Sequence, residues 1–182
     1  MQWVIPGTTL PVTAPDADRI ENQFRSMFLA GGIVLSQVST VTGLEAYTVQ
    51  NWVKRGFLSK PERKRYSLRQ LCRIININML KSALSLDQIC GLLAYINGAL
   101  DDEADDLIDE AELYFLFIRL AVLCKDHSVA DTDSLICQVM EQYQEPVPGA
   151  GERVRDVLRI MITAWGASQL QQQAENMIRA LQ

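Results

Sequence analysis

Apolar positions recur at helical spacing along most of the chain. Residues 1–15 are the exception, where Pro6, Gly7, Pro11 and Pro15 predict an irregular arm. From a cap at Pro15-Asp16, Ile20, Phe24, Met27 and Phe28 fall at i, i+4, i+7 and i+8. They predict a helix that Gly31-Gly32 stops. Leu35, Val38 and Val41 mark a short helix, Thr42-Gly43-Leu44 a turn, and Val49, Trp52 and Val53 the inner face of a second helix over 45–55 that Gly56 closes. Gly43 supplies the left-handed geometry that ends a helix. Two helices about a tight Gly-containing turn form a helix-turn-helix. Residues 57–60 and 64–67 read as two very short extended segments around Pro61-Glu62-Arg63, a small β-hairpin or wing. Ser67 caps a helix carrying Leu68, Leu71, Cys72, Ile75 and Met79, and Ser85 caps one carrying Leu86, Ile89, Cys90 and Leu93 that ends at Asn97-Gly98.

Beyond residue 98 the pattern stays helical. A helix over 101–125 is expected to open on a run of acids, which suits the positive end of the helix dipole, and then to turn apolar nearly all round, as a central helix would. A shorter helix over 132–142 follows. After a loop containing Pro146, Pro148, Gly149 and Gly151, a last helix runs from about Glu152 through Gly166 to Leu181. The expected class is all-α with a very short β-hairpin wing. The expected order is an arm and helix over 1–32, a winged helix-turn-helix over 33–97 and an acidic helical bundle over 98–182.

Charge changes this picture. The chain of 182 residues has a formal net charge of −5, which taken whole argues against nucleic acid. The charge is unevenly spread. Residues 31–82 hold nine Lys/Arg and two acids, a net of +7, and the remaining 130 residues carry −12. Such a split within one chain points to a polyanion-binding segment.

That segment places Tyr47, Gln50, Asn51 and Lys54 at i, i+3, i+4 and i+7, on the face of the second helix opposite Val49 and Trp52. Gln and Asn suit the N6/N7 edge of adenine in the major groove. Lys54 and Arg55, and the wing cations Lys60, Arg63, Lys64 and Arg65, are expected to meet phosphate, which sets register while base contacts specify sequence. Thr48, Tyr66 and Arg69 complete the expected DNA-binding set.

The segment also resembles the MerR family of winged-helix transcriptional regulators. The likeness rests on Thr42-Gly43-Leu44, Thr48-Val49, the aromatic Trp52, Gly56-Phe57-Leu58, Pro61, Arg65-Tyr66-Ser67, Leu71, and Leu84-Ser85-Leu86 with Ile89, in order over about 60 of 182 residues. Three departures stand out. Gln50 replaces the usual Arg and Asn51-Trp52-Val53 the usual aromatic-aromatic-Glu; the hairpin is short; and a long dimerising helix followed by a metal or drug site is not evident. The whole layout is similar to an uncharacterised, MerR-like domain-of-unknown-function family of bacterial proteins, and that resemblance implies DNA binding.

Other chemistries find little support. A single His, no metal-ligand set, no glycine-rich phosphate loop and no nucleophile–base pair argue against an enzyme, and no cofactor or metal is called for. A thiolate metal sensor at Cys124 and His127 lacks two further ligands. The cysteines Cys72, Cys90, Cys124 and Cys137 each fall on an apolar helical stretch and read as buried, reduced thiols. The arm lacks the features of a signal peptide, and the most apolar run, residues 115–124, is ten residues long and contains Arg119, against the ~20 a membrane span needs. Both absences lead us to expect a cytoplasmic protein.

The expected function is therefore a sequence-specific DNA-binding transcriptional regulator acting as a homodimer on duplex DNA. The alternative is a protein–protein interaction module on a winged-helix scaffold that does not bind DNA. For residues 101–182 three roles compete: completing the core and dimerising through the stripe from Val154 to Leu181; an effector pocket among Tyr114, Phe115, Phe117 and Trp165; or docking of a partner protein on the acidic run.

Overall fold

The computed structural model describes residues 3–100, 102, 104–125 and 132–181. The chain is mostly helical: β1 (Trp3–Val4), β2 (Pro11–Val12), α1 (Ala17–Met27), β3 (Ile33–Val34), α2 (Leu35–Thr42), α3 (Ala46–Lys54), β4 (Arg65–Tyr66), α4 (Leu68–Leu80), α5 (Leu86–Asn97), α6 (Glu110–Cys124), α7 (Thr132–Val139) and α8 (Ala150–Arg179). Local chemistry explains several of the helix starts. Asp16 accepts from the Arg19 amide at 3.0 Å. Ser67 with Gln70, and Ser85 with Gln88, form reciprocal capping boxes at α4 and α5. Gly43 ends α2 in the left-handed region at φ 71°.

One contiguous apolar cluster runs from Ile5 to Ala164. Its centre is α4, buried on every side from Leu71 to Ile77, packed against α6. Phe24, Tyr114 and Phe115 form an aromatic knot, with the Phe24 and Tyr114 ring centroids 5.8 Å apart. Helices α6, α7 and α8 thus share one core with the helix-turn-helix, and α6 supplies the apolar surface on which α4 closes.

Three expectations change. The arm is not irregular. Its strands β1 and β2 pair antiparallel, Trp3 opposite Val12. The tip is docked: the Tyr114 hydroxyl donates to the Pro6 carbonyl at 2.9 Å, and Asn78 Nδ2 donates to the Gly7 and Thr42 carbonyls, each at 2.9 Å. Gly7 is required there, since a Cβ would sit 2.6 Å from the Ile75 carbonyl oxygen. Second, the wing hairpin is shorter than expected: its pairing is the single antiparallel bridge between Glu62 and Arg65, and residues 57–60 do not pair with 64–67. Strand β4 pairs antiparallel with β3, Ile33 opposite Tyr66, so the helix-turn-helix is enclosed between two paired strands. Third, α6 begins at Glu110 and not at 101. Asp109 is its cap, accepting from the amides of Ala111 and Glu112.

The long helix α8 has a buried face in its first half and is exposed all round in its last turns. Val154, Val157, Leu158, Met161 and Ile162 are buried, whereas Leu170, Met177, Ile178 and Leu181 are 59–87% exposed. Its last turns project from the core. Among the described residues, no helix is long and apolar enough to cross a membrane.

Candidate nucleic-acid interface

Helix α3 divides as its sequence pattern predicts. Val49 and Trp52 are buried, while Tyr47 is 71% exposed and Gln50, Asn51 and Lys54 face solvent. Thr48 is half-buried. The Arg55 guanidinium lies over the Phe57 ring, 4.4 Å from its centroid, which holds the cation at the foot of the helix.

The wing is a tight turn. The Arg65 amide donates to the Glu62 carbonyl at 2.8 Å, and Arg63 and Lys64 between them adopt φ of 47° and 64°. Positive φ at both central residues is the requirement of a type I′ hairpin turn, which Asn-Gly meets at least strain. Here two cations occupy it. Arg65 donates through Nη1 to the Gly32 carbonyl at 2.7 Å, next to the β3–β4 pairing. Lys60, Arg63, Lys64 and Arg65 are exposed, and Ser59, Lys60, Arg63, Arg65, Ser67 and Gln70 line an open groove of about 570 Å³.

Two residues of the expected DNA-binding set are engaged within the fold. Tyr66 is 3% exposed and belongs to the core, because it stands on the inner side of β4. Arg69 is committed elsewhere, 2.5 Å from Asp106 and 3.4 Å from Asp109. The basic module is therefore less basic than its sequence suggests. Arg73 is likewise spent: it pairs with buried Glu110, and its Nε donates to the Phe57 carbonyl at 2.9 Å. Burial pushes the Glu110 carboxyl up, and the Arg73 guanidinium opposes that push.

Sequence reasoning missed the residues that position the wing. Gln70 Nε2 donates to Ser59 Oγ and to the Lys60 carbonyl, both at 3.0 Å, while Gln70 Oε1 accepts from the Ser67 amide at 2.9 Å. One side chain thus caps α4 and anchors the wing. The capping box was the available signal; the reach to residues 59–60 had none.

The aromatics expected to form an effector pocket pack into the core. Tyr114, Phe115 and Phe117 are at most 1% exposed and packed ring against ring, and Phe117 meets Trp165 edge-on at 5.9 Å. The thiols are free, and only Cys72 is buried, which raises its pKa well above the ordinary thiol value; Cys137 is exposed. Among the described residues no group of three or more His, Cys, Asp or Glu is placed to hold a metal ion. His127, and with it the metal-sensor reading at Cys124, lies outside the described residues.

Residues 22–117, just over half of the chain, match the family described as Domain of unknown function (DUF1836). The chain belongs to this family. The DUF1836 region begins inside α1 and ends inside α6, so it takes in the helix-turn-helix, the wing and the acids that pair with Arg69 and Arg73. It leaves out the N-terminal hairpin and the helices α7 and α8. No curated protein and no solved structure matches the chain.

Proposed function

We propose that the chain is a DNA-binding transcriptional regulator of the MerR-like winged-helix kind, with α3 in the major groove and the basic turn on the adjoining backbone. The observation that carries this reading is the turn. Two adjacent non-glycine residues with positive φ cost on the order of 1 kcal/mol each. Arg63 and Lys64 bear that cost at an exposed tip where neither side chain contributes to the core. Conformational strain kept in order to present two cations is accounted for by a polyanion that meets them. The exposed Gln50 and Asn51 provide the base-reading groups, and Lys54 and Arg55 further phosphate contacts.

The projecting part of α8 supports a homodimer, in which two recognition helices reach successive major grooves about 34 Å apart. Leu170, Ala174, Met177 and Leu181 repeat at intervals of four, three and four, the seam spacing of paired helices.

Titration of labelled genomic fragments at several salt concentrations tests the reading. Affinity should fall with a log–log slope of about −0.9 per phosphate neutralised. Lys54→Ala should weaken all sequences alike, whereas Gln50→Ala or Asn51→Ala should lower discrimination by about 1–3 kcal/mol. No binding at low salt sinks the proposal. Equal effects of Gln50→Ala and Lys54→Ala on cognate and random DNA would refute the assignment of the α3 face.

A further inference from the structure

Between the start of α1, residues 106–112, α6 and the end of α7 lies an open groove of about 840 Å³ that the DNA reading does not use. Its floor is apolar, lined by Leu107, Leu116, Val122, Leu123, Val139 and Tyr143. The same lining carries the exposed acids Asp16, Asp18, Glu112 and Glu141, a half-buried one, Asp109, and one with a buried side chain, Asp106, together with Arg119 and the glutamines Gln138, Gln142 and Gln144.

These carboxylates are unequally engaged. Glu112 meets Arg25, Asp106 and Asp109 meet Arg69, and Arg119 turns to Glu21 at 2.6 Å and Asp18 at 3.6 Å. Even so, the Asp106 side chain, only 8% exposed, keeps an Oδ1 that accepts no hydrogen bond among the described residues. The Asp18 side chain is 82% exposed, and exposed Glu141 has no ion-pair partner among the described residues.

An apolar floor beside carboxylates selects its occupant from both sides. A bare cation would leave the floor wet. An uncharged apolar helix would strip water from the carboxylates and return nothing. A helix with an apolar stripe flanked by Lys or Arg satisfies both, the helix-in-groove mode of recognition. The α8 arm of a second copy lacks that chemistry, since its final sixteen described residues carry one cation, Arg179, against one acid, Glu175.

We propose that this groove docks a cationic amphipathic helix of a partner protein. The inference is independent of DNA binding, because none of its residues belongs to α3 or the wing.

The test uses the full chain and a synthetic fourteen-residue peptide with Leu on one helical face and Lys on the other, followed by fluorescence anisotropy. Its Leu/Glu counterpart should bind at least tenfold more weakly. Asp18→Lys with Glu141→Lys should weaken the Leu/Lys peptide at least tenfold. Glu152→Lys with Glu175→Lys, the same charge change on α8, should leave it within twofold. Circular dichroism checks that both variants keep the helical fold. No binding, equal binding of the two peptides, or equal loss in both variants would overturn the proposal. So would a dimer in sedimentation that the peptide dissociates, since that assigns the groove to a second copy.

Discussion

Arg63 and Lys64 hold φ of 47° and 64° where an Asn-Gly pair would sit without strain. The double substitution Arg63→Asn with Lys64→Gly should therefore raise stability by about 1–2 kcal/mol in chemical denaturation. The same variant should bind DNA more weakly, with the salt slope reduced by about 2 as two phosphate contacts disappear. Arg63→Ala with Lys64→Ala separates strain from charge: it should lose the same DNA contacts without gaining stability. A stability gain at unchanged DNA affinity would mean that the cations have no polyanion to meet. Residue identity alone could not sort the basic module in this way. Arg65 and Arg69 look equivalent in the sequence, yet Arg65 is exposed at the turn and Arg69 is drawn onto Asp106 and Asp109 some forty positions downstream. Tyr66, read as a DNA contact, is one step along the strand from Arg65 and so faces the opposite side.

Among elements, the pairing of α4 with α6 decides how the wing is held. Arg73 joins Glu110 of α6 to the Phe57 carbonyl at the wing's base, in surroundings where its side chain is 10% exposed and that of Glu110 is 1% exposed. Breaking such a buried pair from one side costs about 3–5 kcal/mol, while an apolar replacement of both partners often costs far less. Arg73→Met and Glu110→Leu should each destabilise by roughly that amount, and the double variant by clearly less than their sum, measured by urea denaturation. Simple additivity would show that the two side chains act separately. Elements defined by local chemistry were legible: the caps Asp16, Ser67 and Ser85, the Gly43 turn, and the inner faces at Val38, Val49, Trp52, Leu71 and Ile75 can all be read within a few positions of one another. The sheets were not. Two-residue strands carry no period, and the partner of β4 lies some thirty residues upstream at β3. The start of α6 is hidden in the sequence because an acidic run has the same composition whether its carboxylates cap a helix, as Asp109 does, or reach for a cation, as Asp106 does.

The whole molecule is one core with a helix extending from it. Every described residue of α8 from Gln169 onward is exposed, so removing residues 169–182 should leave the melting temperature of the core within a few degrees. An isolated helical extension of this length is marginal in water, and pairing with a second copy would stabilise it. Sedimentation should find the full chain dimeric at micromolar concentration and the shortened chain monomeric and folded. A full chain that remains monomeric, with and without DNA, would remove the model of two half-sites. The net charge of −5 also takes a different meaning at this scale. Much of the acidic excess pairs with Arg25, Arg69, Arg73 and Arg119, and several of those acids, with Asp18 and Glu141, line a groove on surfaces that α3 and the wing do not share.

The docking of the N-terminal hairpin has a consequence for the growing chain on the ribosome. The Tyr114 hydroxyl lies 108 positions along the chain from the Pro6 carbonyl that accepts from it. At about 5–20 residues per second, roughly 5–20 s separate the synthesis of the two. In the last part of that interval α3, the wing and α4 are complete in sequence, but α4 has no α6 to close on. The surface proposed to read DNA is therefore assembled late, when the sixth helix emerges, and not when its own residues do.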